Sequence, residues 1–173
     1  MDAALQTSAR ECVSPIYMYM HLSAMSQTLL PMLPCMCGSF RRTARALTQL
    51  YEEALRPFGL RATQFSILQV LSRAGEVSQG QLSEMLAMDS TSLTRTLAIM
   101  RRQGWIAERR GKDRRERLLR LASAGEMQLR RALPVWEKVQ SRLRHQLGEP
   151  AWNNLLQLTY QVTGLIMKKG ESL

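Results

Sequence analysis

GWIAERRGKDRRERLLRLA, residues 104–122, decides how the rest of the chain is read. "WIAERR" and "RLLRLA" each mix apolar and charged residues over the length of a strand. "GKD" lies between them and supplies a turn through Gly111, so the segment reads as a β-hairpin. The hairpin is dense in arginine, yet Asp113 and Glu116 sit among the bases. A solvated face carries such a run as readily as an element that docks on nucleic acid. The flanking sequence has to decide between the two.

Directly upstream, "STSLTRTLAIMRRQG" (90–104) sets Leu93, Leu97 and Met100 at helical spacing, with Gly104 at its end. "SQGQLSEMLAMD" before it reads as a shorter helix capped by Ser78, with Leu82, Met85 and Leu86 on one inward face. "TQFSILQVLSRAG" reads as a helix that turns Phe65, Leu68 and Leu71 inward and stops at Gly75. From Phe40 onward, Ala44, Leu47, Tyr51, Ala54 and Leu55 recur at three- and four-residue intervals until Pro57 and Gly59 end the run.

Downstream, a helix over about 123–147 carries Leu129, Leu133, Trp136, Val139, Leu143 and Leu147 as an apolar stripe, with Pro134 expected to kink it. A last helix from Glu149 to Lys168 carries Trp152, Leu155, Leu156, Leu158, Val162, Leu165 and Ile166. The predicted fold is mostly α with a small β-hairpin. Two short helices on a tight turn followed by an arginine-rich hairpin form the layout of a winged helix-turn-helix, whose second helix enters the major groove.

The charge agrees with that layout. The chain has 24 Lys plus Arg against 14 Asp plus Glu, a net charge of +10. Residues 95–120 alone hold ten bases and three acids, so most of the surplus sits around the hairpin. Such a surplus favours double-stranded DNA as partner, because each neutralised phosphate releases counterions. The exposed face of the 90–104 helix is expected to carry Ser90, Thr91, Ser92, Thr94, Arg95 and Arg102, with Arg95 and Thr94 reading bases. An ordinary polar helix with Ser90 as its cap would look similar. The adjacent basic hairpin, with Arg110, Lys112, Arg114 and Arg115, tips the balance toward DNA.

Other classes fall away. Residues 13–37 carry no charge, but Pro15, His21, Gln27, Pro31 and Pro34 interrupt them and no 18-residue run is purely apolar, so no membrane partner is expected. Asp2 and Glu11 flank Arg10 where a signal peptide would be basic. Residues 1–38 are expected to be a poorly ordered extension, with Met25 and Met32 as alternative starts. Cys12, Cys35 and Cys37 form no secreted-type disulfide framework, and a cytoplasmic setting fits. Cys35, Cys37 and His21 lack metal-ligand spacing. Only His21 and His145 are histidines, and no nucleophile–base arrangement or Gly-rich phosphate loop occurs, so neither an enzyme nor a cofactor is expected.

From Phe40 onward the chain resembles the MarR family of bacterial transcription regulators. The resemblance is carried in order by "RRTARALTQLYEEALRPFGLRATQFSILQVL", "QLSEMLAMDSTSLTRTL", "GWIAERR" and "DRRERLLRLASAG". It implies one domain over 39–173: a winged helix-turn-helix at about 60–122 between dimerisation helices at about 39–57 and 123–169. It further implies a homodimer on a pseudo-palindromic operator, and often release by a small aromatic acid or phenol. The family's wing signature falls on Asp113 and Arg115, the acid holding the guanidinium that reaches the minor groove. Ala122 stands where the family has a capping Thr, and Ser123 is expected to cap instead. In the peroxide-sensing branch the reactive Cys aligns with Cys37 and its Tyr partner with Tyr51. The branch's other Tyr is here Arg41, a cation one turn on. No Cys follows Cys37, so oxidation is expected to give a sulfenate, or a disulfide to Cys35, Cys12 or the partner chain.

Overall fold

Glycine and proline punctuate the helices of this protein. A computed structural model describes residues 35–111 and 116–167. Helix α1 (Met36–Leu55) starts four residues before the periodic stretch at Phe40 and ends in a 3-10 turn, Arg56–Phe58. Pro57 has no amide to continue the helix, and Gly59 closes the turn in the left-handed region at φ 66°. Helix α2 (Ala62–Ala74) begins where the Gln64 side chain accepts from the Arg61 amide at 2.9 Å, which satisfies an otherwise buried polar group. The chain divides into two units, residues 1–43 and 44–173, and the packing described below lies within the second.

Strand β1 (Val77–Ser78) leads into α3 (Gln79–Leu86) through a capping box. Ser78 Oγ accepts from the Gln81 amide at 3.1 Å, and Gln81 Oε1 accepts from the Ser78 amide at 2.8 Å. Ala87 then reverses the chain in the left-handed region, at φ 49°. The Met88 amide donates to the Ser83 carbonyl, and Ser83 Oγ donates to the Met88 carbonyl at 2.6 Å. An alanine there pays a Cβ penalty of about 1 kcal/mol that glycine escapes. Ala87→Gly is therefore expected to stabilise the fold by roughly 0.5 kcal/mol, after its larger unfolded-state entropy is deducted. A rise in the urea midpoint at constant slope checks this.

Helix α4 (Ser90–Arg102) follows, then β2 (Ile106–Arg110), β3 (Arg117–Leu121), α5 (Ser123–Leu147) and α6 (Glu149–Met167). The expected hairpin is present, and β3 is the central strand of an antiparallel sheet in the order β1-β3-β2. Val77 and Glu108 both pair with Leu119, and Ile106 pairs with Leu121. Two-residue β1 has no periodicity to read and was not expected as a strand.

The core sits where α2, α3 and α4 meet the sheet. Leu68, Leu82, Leu93 and Leu119 are fully buried there, each worth roughly 2 kcal/mol by transfer from water. Met85 corrects the expected inward face of α3: it is 56% exposed, because an eight-residue helix turns only Leu82 squarely inward. Ala44 is likewise exposed, and of the α1 stripe Tyr51 packs against the core and Leu55 is buried in it.

Helix α5 runs on through Pro134 and buries Gly125, Leu129 and Ala132 against the rest of the unit. Trp136 stacks at a tilt on Phe65, with centroids 5.9 Å apart. Gln140 Nε2 donates to the Tyr51 hydroxyl at 2.6 Å, and Gln128 Nε2 donates to the Phe58 carbonyl. Its start corrects a second expectation. Ala122, not Ser123, is the N-cap residue, and no side chain caps the helix. The Ala122 amide instead donates to the Trp105 carbonyl at 3.0 Å, and Gly125 is buried against that same carbonyl. At the corner into α6, the Arg144 guanidinium lies 5.6 Å over the Trp152 ring. No helix among the described residues is long and apolar enough to cross a membrane.

Candidate nucleic-acid interface

Helix α4 buries Leu93, Leu97 and Met100, which leaves the opposite side to solvent. All six residues expected on that side are exposed: Ser90, Thr91, Ser92, Thr94, Arg95 and Arg102. Thr91, Arg95 and Arg102 fall at i, i+4 and i+11, a single stripe down the outer face. Arg95 and Arg102 have no carboxylate partner among the described residues.

The cap of α4 is Asp89 and not Ser90. Asp89 Oδ1 accepts from the Ser92 amide at 2.8 Å. That hydrogen bond, with further contacts to Ser92 and Thr91, holds the Asp89 carboxyl below its ordinary 3.8. Asp89 therefore occupies one amide at the start of the helix that would otherwise face phosphate. Thr94 is also partly committed: its hydroxyl donates to the Ser90 carbonyl at 2.7 Å and accepts from Gln79 Nε2 at 2.9 Å. Its methyl group and one acceptor lone pair remain for a base edge.

Among the described bases of 95–120, the tertiary structure separates those held by carboxylates from the rest. Arg109 Nε donates to Glu76 Oε2 at 2.8 Å and its Nη2 pairs with the other oxygen, a two-pronged bond that joins β2 to the loop before β1. The Arg109 hydrogen bond, and behind it the charges of Arg109 and Arg120, lower the Glu76 carboxyl from its ordinary 4.5. Glu108 pairs with both Arg101 and Arg117. Folded-state values below the ordinary ones mean that the stabilisation from these bonds is complete above the ordinary value. It is lost as pH falls through the lowered one.

Glu76, Gln79, Glu108 and Arg117 were not singled out from the sequence. Glu76 and Arg109 lie 33 positions apart, which no local pattern reveals. The strand alternation that puts Glu108 on the same side as Ile106 was readable.

Arg110 is exposed at the end of β2. Lys112, Asp113, Arg114 and Arg115, the expected tip of the wing, lie outside the described residues, as do Cys12 and His21. Cys35 and Cys37 are free and exposed, Cys37 in the first turn of α1, and Arg41 is exposed as well. In the second unit the Tyr51 hydroxyl accepts from Gln140, and burial pushes its ionisation upward.

Residues 58–116 match the family model described as MarR family. Among curated proteins, the HTH-type transcriptional regulator YwoH of Bacillus subtilis, described as uncharacterized, is 33% identical over 85 residues. That match spans 49% of this chain and 62% of the relative's length. Among solved structures, the transcriptional regulator MosR of M. tuberculosis in complex with DNA is 34% identical, with a TM-score of 0.71 over 78% of this chain and 97% of that one. A mutant MarR of E. coli complexed with operator DNA shares the fold at a TM-score of 0.65 and 22% identity, over 71% of this chain and 89% of that one.

Proposed function

The chain belongs to the MarR family, and from that premise we propose that it is a sequence-specific DNA-binding transcription regulator that works as a homodimer in the cytoplasm. The observation that carries this reading is the exposed Thr91–Arg95–Arg102 stripe on the second helix of a helix-turn-helix, beside an arginine-rich hairpin. The MosR complex, similar over nearly its whole length, supports it. Arg95 and the Thr94 methyl are assigned to base edges. Arg110, Lys112, Arg114 and Arg115 are assigned to backbone and minor groove, with Asp113 orienting Arg115. The flanking helices, about 39–57 and 123–169, form the dimer. Leu155, Leu156, Leu158, Leu165 and Ile166 on α6 are exposed among the described residues and support that assignment.

Two consequences separate base reading from backbone contact. Arg95→Ala is expected to change which operator variants are preferred, at a cost of about 1–3 kcal/mol on the best site. Lys112→Ala is expected to weaken all duplexes about equally and to flatten the salt dependence by about one phosphate. Fluorescence anisotropy on a panel of operator variants measures both. Unchanged preference in Arg95→Ala would remove that residue from base reading.

The regulator is further proposed to be a repressor, released by a small phenol or aromatic acid held between the dimer helices and the DNA-binding lobe. A second reading, release by oxidation of Cys37, to which the resemblance adds Cys35, Arg41 and Tyr51, draws on the exposure of that thiol in the first turn of α1. One experiment decides: a gel shift with salicylate or with cumene hydroperoxide, in the parent protein and in Cys37→Ser. Release by salicylate in both proteins supports the ligand reading. Release by peroxide in the parent alone supports the thiol, and no release under either condition overturns both.

A further inference from the structure

Glu108 makes one side chain the meeting point of three elements. Alternation along β2 turns Glu108 to the same side as buried Ile106, and only 16% of its side chain is exposed. Each carboxylate oxygen holds a different arginine. Oε2 accepts from Arg101 in the last turn of α4, and Oε1 accepts from Arg117 at the start of β3. Arg117 also lines a cleft of about 440 Å3 with its neighbour Glu116 and with Ser78, Gln79 and Ser90, the residues that open α3 and α4.

A carboxylate in this position works against attraction to a polyanion, so its place in a basic surface needs a reason. Burial pushes the Glu108 carboxyl up. The hydrogen bond from Arg117 and the charges of Arg101 and Arg117 outweigh it and hold the group below its ordinary 4.5. It is therefore an anion at neutral pH, with both of its arginines held.

We infer that Glu108 is a positioning residue for DNA binding: holding Arg101 and Arg117 on its two oxygens, it locks the wing to the recognition helix before DNA arrives. It also keeps Arg117 beside the α3–α4 cleft as a contact for a backbone phosphate. An unrestrained arginine loses rotamer freedom when it docks, whereas one already held by a carboxylate loses little. The same bridge fixes how far the hairpin stands from α4, and so whether helix and wing can engage one duplex together. The inference rests on the reading of this chain as a DNA-binding regulator and adds to it two residues, Glu108 and Arg117, that act on phosphate and on geometry.

The test uses the full chain, a duplex selected by it from a random pool, and a scrambled duplex of the same composition, titrated over a salt series. Glu108→Gln is expected to weaken the selected duplex about tenfold. The scrambled duplex should be bound as tightly as before or more tightly, because one charge opposing the phosphates is gone. Arg117→Gln is expected to weaken both duplexes and lower the salt slope by about one. In the Arg117→Gln background the Glu108 substitution should cost less than about threefold, since the arginine it positions is absent. A merely structural role would weaken both duplexes by the same factor in Glu108→Gln, and that result overturns the inference, as does full additivity of the two substitutions. If Glu108→Gln loses its melting transition, Arg117→Gln decides alone, at a side chain 61% exposed: unchanged affinity and slope overturn the inference. A parent protein that binds selected and scrambled duplexes alike overturns the DNA-binding reading itself, and this inference with it.

Discussion

Gly125→Ala is expected to lower the melting temperature by about 6 °C, although alanine is the better helix former. In a helix interior, glycine to alanine gains about 1 kcal/mol. At Gly125, however, a Cβ would overlap the Trp105 carbonyl oxygen and come within 2.9 Å of its carbon and 3.0 Å of Leu121 Cδ1. A backbone carbonyl cannot rotate aside as a side chain can. This one also accepts the Ala122 amide that starts α5, so moving it loses a hydrogen bond as well. Overpacking of this kind costs about 3 kcal/mol, which outweighs the propensity gain by about 2. For a chain of this size each kcal/mol shifts the melting point by about 2–4 °C. Gly80→Ala is the control. Its Cβ would meet only Ser78 Oγ at 3.8 Å, and it should gain roughly the 1 kcal/mol that propensity alone predicts. If both variants gain stability, α5 does not seat on the hairpin as described.

On the dimer proposed above, Leu158→Glu with Leu165→Glu is expected to give a folded monomer and to weaken operator binding at least 100-fold. The two side chains are 49% and 69% exposed on one face of α6, so charges there cost the single protomer little. Burying the same carboxylates in an apolar dimer interface leaves them without partners, which is the costly case. A monomer reaches one half-site only and forfeits the effective concentration that linking two sites supplies, about 100-fold or more. Sedimentation and a melting curve separate the effects. A dimer that persists with wild-type affinity would show that α6 is not the joining surface. Loss of the melting transition would show that these residues support the protomer instead.

The helices of the DNA-binding lobe were legible in the sequence because their apolar residues fall at helical spacing and their ends are marked by Ser78, Gly75 and Gly104. The hairpin was legible from Gly111 between two mixed runs. The same patterns misled where geometry and not periodicity decides. Met85 sits on the apolar spacing of α3, yet so short a helix presents one narrow face inward. Ser90 and Ser123 are good capping types, but Asp89 holds the first cap, and at the second the helix is anchored through the backbone of Ala122.

The candidate interface divides along the same line. By itself the sequence determined which residues stand on the outer face of α4, since Thr91, Arg95 and Arg102 follow from helical spacing once Leu93, Leu97 and Met100 are buried. It also determined that a basic hairpin follows, because charge and strand length are local properties. Only the tertiary structure decided which arginines are free. Arg109 is bound by Glu76 and Arg117 by Glu108, while Arg95 keeps no carboxylate among the described residues. The physical reason is range: spacing along a chain reports on neighbours within a turn or a strand pair. An ion pair depends on distances of a few ångströms between elements that only folding brings together.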